Sequence, residues 1–321
     1  MQNLIFAAKL QDLMGKLLIV GTVAIDEIET PFGKTGKVLG GAATFIGLAA
    51  SQFDVESGIV SIVGDDLPDT YLETLNSKNI DLTGVEIVKG GKTFYWKGKY
   101  HNDLNSRDTL ITDLNTLADF QPKVPEHFND ADVVMLGNLH PSVQLSVIQQ
   151  MKTRPKLIVL DTMNFWMDNA LTELKEVIQH IDVITINDEE ARQLTEEYSL
   201  VKAAGAIQKM GPKYVVIKKG EHGALLFHKE QIFFAPALPL EEVFDPTGAG
   251  DTFAGGFTGY LAATNDLSFE NMKNAVIHGS NLASFCVEKF GTERMENLRR
   301  HEVDKRLHEF KALTQFDIEL K

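Results

Sequence analysis

The sequence predicts a doubly wound α/β protein: a mostly parallel sheet with helices on both faces and a small β flap beside it. Three observations carry this. Short, β-branched, near-continuously apolar runs alternate with amphipathic helical patterns along most of the chain, as strands covered on both faces require. Two glycine-interrupted stretches, about 22–38 and 85–110, break the alternation with extended pieces and no helical period. The chain has 321 residues, 44% hydrophobic and 24% charged, enough for one large domain with an appendage or for two.

Residues 1–14 read as a leader outside the folded domain, an upstream start or a frayed extension. Its apolar run, 4–8, is short and follows no basic segment, so a signal peptide is not expected. The folded domain is read as 15–321. Buried strands are predicted at 17–21, 58–64, 133–137, 157–161, 183–187 and 214–218. Helices are predicted at 44–52, 69–78, 142–152, 171–179, 188–197 and 201–209, with two amphipathic helices at 267–289 and 302–313. The two exceptional stretches, one holding Pro31, Gly33 and Gly36 and the other Phe94-Tyr95-Trp96, read together as a small antiparallel flap. Ligands of such sheets gather at the C-terminal strand ends. Asn138, Asp161, Asn187 and Gly220 stand there.

Composition excludes several classes. A formal net charge of −14 argues against nucleic-acid partners and anionic membrane surfaces. The single cysteine, Cys286, cannot form a disulfide within the chain, which fits a reducing cytoplasm. No apolar run approaches ~18 residues, so no membrane-spanning helix is expected. His101 and His140 have no partner at metal-ligand spacing.

The most informative run is Asp245-Pro-Thr-Gly-Ala-Gly-Asp-Thr-Phe-Ala-Gly-Gly-Phe257. Gly248, Ala249 and Gly250 form a small-residue turn that opens an apolar helix. Such a turn leaves backbone N–H groups pointing at one spot, which attracts phosphate. Asp251 lies in the first turn. An acid there is ordinary dipole chemistry. Beside an anion site it also suits a base that takes a proton from a nucleophile attacking phosphate. No Walker-type P-loop is present.

This string resembles the C-terminal signature of the PfkB (ribokinase-like) family of carbohydrate and nucleoside kinases. The likeness spans about residues 15–295. It implies a ribokinase-like fold with a β lid and ATP-dependent phosphorylation of a hydroxyl, with Asp251 as base and the Gly248–Gly250 backbone as anion hole. ATP and Mg²⁺ are the cofactors it implies, with K⁺ beside Asp245 and Thr247 as a further family-level expectation. Asn187 and Glu190 follow a strand end three residues apart. By themselves they read equally as a helix cap or as outer ligands of Mg²⁺. They resemble the family's Asn-x-x-Glu element, which implies metal contact through water. Lys218, Gly220 and Gly223 resemble the segment lining the nucleotide, and His278, Asn281 and Ser284 are candidates for the adenine edge. Asp161 and Asn164 match the family's strand-end pattern loosely.

For the acceptor, Gly40-Gly41 admits close backbone approach or tight helix–strand packing. It resembles the family's N-terminal signature. Many members carry an Asn a few residues on that touches the sugar. Thr44 and Phe45 stand there instead, which argues against ribose itself. The family places an Asp that accepts sugar hydroxyls where Asp26 stands. Arg107 could reach substrate from the lid or pair with Asp103 or Asp108. The expected acceptor is a sugar or sugar-like molecule. The alternatives are a nucleoside, with Phe45, Phe94 or Trp96 stacking the base, and a catalytically silent sensor, which needs no Asp251. A dehydrogenase lacks its Gly-x-Gly-x-x-Gly fingerprint after the first strand. Exposed lid edges leave room for a homodimer.

Overall fold

The strand residues of the large sheet divide by parity. Leu17 and Ile19 belong to one apolar cluster, Leu18 and Val20 to the other, as helices on both faces demand. The computed structural model describes residues 15–104 and 106–315. The leader reading for 1–14 falls outside them.

The chain begins with β1 (Lys16–Val20), β2 (Ala24–Thr30), β3 (Gly33–Lys34) and β4 (Val38–Gly40). Then come α1 (Ala42–Ala50), β5 (Glu56–Gly64), α2 (Asp69–Ser77), β6 (Ile80–Val88), β7 (Tyr95–Tyr100) and β8 (Arg107–Asp113). The regular alternation follows: β9 (Val133–Leu136), α3 (Pro141–Gln150), β10 (Leu157–Asp161), α4 (Asn164–Asn169), α5 (Leu171–Ile178), β11 (Val183–Asn187), α6 (Asp188–Thr195), α7 (Leu200–Met210) and β12 (Tyr214–Lys218). The chain ends with β13 (Ala224–His228), β14 (Gln231–Ala235), α8 (Ala249–Thr264), α9 (Phe269–Cys286), α10 (Glu293–Glu296) and α11 (Arg300–Thr314).

Among the described residues, nine strands form one sheet in the order β14-β13-β12-β11-β10-β9-β1-β5-β6. From β12 to β6 every pairing is parallel, and β13 and β14 close one edge antiparallel. The chain runs from β1 toward β6 and returns on the other side through β9. This reversal beside β1 is the kind of crevice at which open α/β sheets bind ligands. Helices α1, α8 and α9 supply one apolar cluster, and α3, α5, α6 and α7 the other.

A second sheet runs β3-β2-β7-β8, with β4 also on β2. Two expectations change here. Residues 85–88 lie in β6, an edge strand of the large sheet, so the second stretch of the small sheet is β7 and β8. The small sheet is mixed, because β2 and β7 are parallel.

Candidate active site

The turn before α8 is built around Gly248. Its φ of 74° and ψ of 2° are left-handed, and a methyl group there would lie 2.5 Å from the Phe45 ring. Only glycine fits both constraints. Ala249 donates its N–H to the Pro246 carbonyl at 3.1 Å. The expected trio of anion donors therefore becomes two, since that N–H already closes the turn. The Gly248 and Gly250 N–H groups have no partner among the described residues. Asp251 stands in the first turn of the same helix.

Adjacent parallel strands bring three more groups to this point. Asp161 ends β10, Asn187 ends β11 and Lys218 ends β12, with Asn187 and Lys218 in register. Lys218 Nζ donates to Asp161 Oδ1 at 3.0 Å and Oδ2 at 3.2 Å. A methyl group on Gly250 would lie 3.1 Å from the same Nζ, so the ammonium stands beside the anion turn. Asn187 Oδ1 accepts from the Glu190 N–H at 2.8 Å, and Glu190 Oε2 accepts from the Asn187 N–H at 2.9 Å. The cap reading is thus realised in full. It engages the carbonyl oxygen of the Asn187 amide and one of the two Glu190 oxygens.

These groups share one field. Burial raises the Asp251 carboxyl well above the usual carboxylate range. Asp161 adds to the rise, and Lys218 and Arg107 oppose it. Burial pushes Glu190 up to about 7, with Lys218 opposing and Asp161 adding. Burial alone would lower Lys218, but Asp161, Glu190 and Asp251 more than offset it, and its pKa is raised. Among the described residues, no three His, Cys, Asp or Glu side chains converge to hold a metal ion directly.

The small sheet supplies the opposite wall. Asp26 is buried on β2, and its carboxyl accepts the Gly41 N–H. Burial pushes its pKa up to about 7, with Asp245 and Asp251 adding. Any side chain at Gly40 would collide with the Asp26 carboxyl. Trp96 is the register partner of Asp26, so both side chains share one face. The indole lies against Gly98 on that face, in space that any larger residue would fill. Tyr100 follows, buried, with its hydroxyl 3.2 Å from Thr247 Oγ1. Arg107, exposed on β8, lies with its guanidinium carbon 6.0 Å from the Trp96 ring centroid. Its charge lowers both Asp251 and Glu190. Asp108, one of its expected surface partners, instead faces His101 at 3.3 Å.

Several expected site residues stand elsewhere. Thr44 is wholly buried and its Oγ1 has no partner; α1 is buried along its whole length, so Thr44 faces packing rather than an acceptor. Phe45 packs under Gly248 and offers no free ring face. Asn281 is wholly buried and donates to the Val303 carbonyl at 3.0 Å; α11 covers the side on which an adenine edge was expected. Ser284, on α9, accepts from Arg306 of α11 at 3.1 Å. His278 stacks on Tyr260, and burial lowers its pKa to about 4. Asn138 accepts from Trp166 Nε1 at 2.7 Å. Gly223 is buried where a side chain would strike the Ala235 carbonyl, so its glycine serves the β13–β14 edge. Gly220 is exposed at the end of β12. Asp245 is buried and accepts the Thr247 N–H at 2.9 Å and the Gly291 N–H at 2.8 Å. Two features escaped the sequence reading, the Asp161–Lys218 pair and the Tyr100–Thr247 contact. Their partners lie 57 and 147 residues apart, and no local pattern announces such pairs.

The strand order, the second sheet and the glycine turn opening α8 together define a ribokinase-like α/β fold. Solved structures agree. A nucleoside kinase of Methanocaldococcus jannaschii superposes with a TM-score of 0.75 at 21% identity, covering 92% of this chain and 99% of that one. A putative ribokinase II from E. coli, solved with ATP and Mg²⁺, gives 0.77 at 18% identity, covering 92% and 100%. The chain belongs to the pfkB family of carbohydrate kinases, whose sequence profile matches residues 14–298. It is 32% identical over 246 residues to a cytidine kinase of Thermococcus kodakarensis, covering 75% of this chain and 86% of that protein. It is 27% identical over 297 residues to a nucleoside kinase of Methanothermobacter thermautotrophicus, covering 86% and 91%. It is therefore a kinase of the sugar and nucleoside class.

Proposed function

We propose that the chain transfers the γ-phosphoryl group of ATP to a hydroxyl, most simply a primary one, of a sugar or sugar-containing acceptor. The observation that carries this is Asp251. A carboxyl with a raised pKa stands in the first turn of a helix whose Gly248 and Gly250 N–H groups are unpaired. The acceptor oxygen forms a bond to the γ-phosphorus while the bond to the β,γ-bridging oxygen breaks. The acceptor proton passes to Asp251, and ADP leaves. A carboxyl poised near neutrality suits this transfer, and the two N–H groups meet charge on the phosphoryl oxygens.

The residues present fit Mg²⁺ that arrives with the nucleotide. Glu190 has one oxygen free of the cap, and no closed protein cage exists among the described residues. Mg²⁺ characteristically keeps waters and phosphate ligands beside one or two carboxylates. When bound it would neutralise phosphate charge, with Glu190 and the Asn187 amide holding its waters. The same reading places K⁺ beside Asp245 and Thr247, where burial raises the Asp245 carboxyl and a cation would draw it down. Lys218 and Gly220 belong to the nucleotide side; Asp26, Gly40, Gly41 and Arg107 belong to the acceptor side.

In this reading the small sheet is a lid that excludes water during transfer. Its outer strand β8 is exposed at all its residues, an edge that a second copy of the chain would cover in a homodimer. The shared face of Asp26 and Trp96 favours a nucleoside among acceptors: Asp26 takes sugar hydroxyls, and the indole offers a flat surface to a base. ADP release from ATP and Mg²⁺ across sugars and nucleosides, with Asp251→Asn as control, tests the reading. A nucleoside hit lost by ~10²-fold or more in that variant is expected. Full activity of Asp251→Asn would remove it as base. Equal rates with free sugars would remove the nucleoside preference.

A further inference from the structure

We propose that Lys218 is a catalytic residue of the phosphoryl transfer, and that Asp161 is the positioning residue that holds its ammonium ready. The proposal rests on the kinase reading of Asp251. It goes beyond a lining role for Lys218, because it assigns the ammonium to the transition state.

Lys218 is the last residue of β12, at the C-terminal ends of the parallel strands, and its side chain is 17% exposed. Asp161 ends β10, two strands away, and is 7% exposed. The pair is two-pronged, at 3.0 and 3.2 Å. A purely structural role would be to tie β10 to β12. That tie is redundant, because β11 already hydrogen-bonds to both. Burying two charges for it is also a poor source of stability compared with apolar packing.

The position of the ammonium explains it better. Nζ lies 3.1 Å from where a Gly250 side chain would begin, beside one of the two unpaired N–H groups of the anion turn. Three carboxyl groups, Asp161, Glu190 and Asp251, act on it together. A polyanionic donor entering among three acids needs a fixed cation. Lys218 is the one supplied by the sheet rather than by the exposed β8. During transfer the acceptor oxygen bonds to phosphorus, the bridging oxygen departs with ADP, and the acceptor proton goes to Asp251. Lys218 keeps its own proton throughout and donates a hydrogen bond to a γ-phosphoryl oxygen, where charge is held most strongly in a water-poor site. The two Asp161 contacts fix the ammonium before the nucleotide arrives, so little reorganisation is needed.

The test compares Lys218→Met, Lys218→Arg, Asp161→Asn and the double variant Asp161→Asn/Lys218→Met. The double variant removes both charges and retains the fold if the single lysine change does not. Three quantities are read: kcat, the Kd of ADP, and the Kd of ADP with aluminium fluoride plus acceptor, a mimic of the transferring group. Lys218→Met and the double variant are expected to lose ~10²–10³-fold in kcat. ADP affinity should change by less than about threefold, while affinity for the mimic falls with kcat. Lys218→Arg should recover part of the loss, and Asp161→Asn should lower kcat by ~10-fold at unchanged KM for ATP. A folded Lys218→Met with kcat within about threefold of the wild type overturns the proposal, as does equal weakening of ADP and the mimic. Asp251→Asn, measured alongside, separates the two readings: if it is inactive while Lys218→Met is active, only the lysine proposal fails. A wild type that phosphorylates no acceptor overturns both.

Discussion

Replacing Asp26 with asparagine would measure what this carboxyl costs the free protein and what it gives the acceptor. Asp26 is 5% exposed. Burial raises its pKa from 3.8 to about 7; the Gly41 N–H opposes the rise, and Asp245 and Asp251 add to it. In the unfolded chain the group ionises at its ordinary value. Between the two pKa values the unfolded state has released its proton and the folded state has kept it. Stability therefore falls as pH rises through that window. At ~1.4 kcal/mol per unit, the whole gap of about three units amounts to ~4 kcal/mol. Roughly 2–3 kcal/mol of it falls between about pH 5 and pH 8.

The asparagine variant lacks this dependence. Its stability relative to the wild type should grow by ~2–3 kcal/mol from about pH 5 to pH 8, read by urea unfolding of both proteins without ligand. Taking the difference cancels groups that titrate alike in both. Removing Asp26 also relieves Asp245 and Asp251 slightly, which changes the result in the same direction. The variant should pay for that gain in acceptor binding, with KM for the acceptor raised by ~10-fold or more as a hydrogen bond to a charged group is lost. A stability difference that stays flat across this pH range would refute the reasoning. It would mean that Asp26 is ionised and hydrated in the free protein, and so is not waiting for hydroxyl donors.

Other positions give sharper local tests. Gly248→Ala must adopt a left-handed backbone and meet the Phe45 ring at 2.5 Å; a loss of ~2–4 kcal/mol in urea unfolding is expected, and adding Phe45→Leu should recover only the steric part. Asn281→Ala should cost ~1–3 kcal/mol of stability through the lost Val303 contact and leave KM for ATP unchanged; a raised KM at unchanged stability would restore its adenine role. Tyr100→Phe removes the 3.2 Å contact with Thr247; a loss of ~1 kcal/mol is expected, with kcat falling further if the lid steadies the anion turn, and an unchanged kcat would separate the two.

The sequence was most legible where an element is buried on both sides. β10, β11 and β12 fall at the expected residues, because a continuous apolar run leaves few alternatives. Legibility failed at the edges. β6 exposes part of its length, and its polar interruptions resemble a flap rather than a strand of the large sheet. The β13–β14 hairpin turns at Lys229 with φ of 52°, without the Asn-Gly or Asp-Gly signal that marks such turns. Within the site, the α8 turn could be read because glycine, small residue and acid are contiguous. Thr44 and Asn281 could not. α1 is buried all round, so its periodicity names no outward face. What covers Asn281 on α9 is Val303 of α11, 22 residues on.

The site shows a consistent electrostatic imbalance. Asp26, Glu190, Asp245 and Asp251 are all raised, each chiefly by burial. Lys218 from the large sheet and Arg107 from the small one are the cations that oppose this at Glu190 and Asp251. A protein selected for stability alone would not collect carboxyls this way, since each disfavours its own charged form in the fold. Ligands would change the sign. Hydroxyl donors at Asp26 and a cation at Glu190 each favour the carboxylate, so binding would draw these groups toward ionisation while Asp251, facing the acceptor proton, gains one. If the small sheet acts as the proposed lid, Arg107 would ride on it, whereas Lys218 belongs to the large sheet. The free site is thus electrostatically incomplete in a way that nucleotide, cation and acceptor would complete together, and that incompleteness is the physical link between the cleft's acidity and the reaction proposed for it.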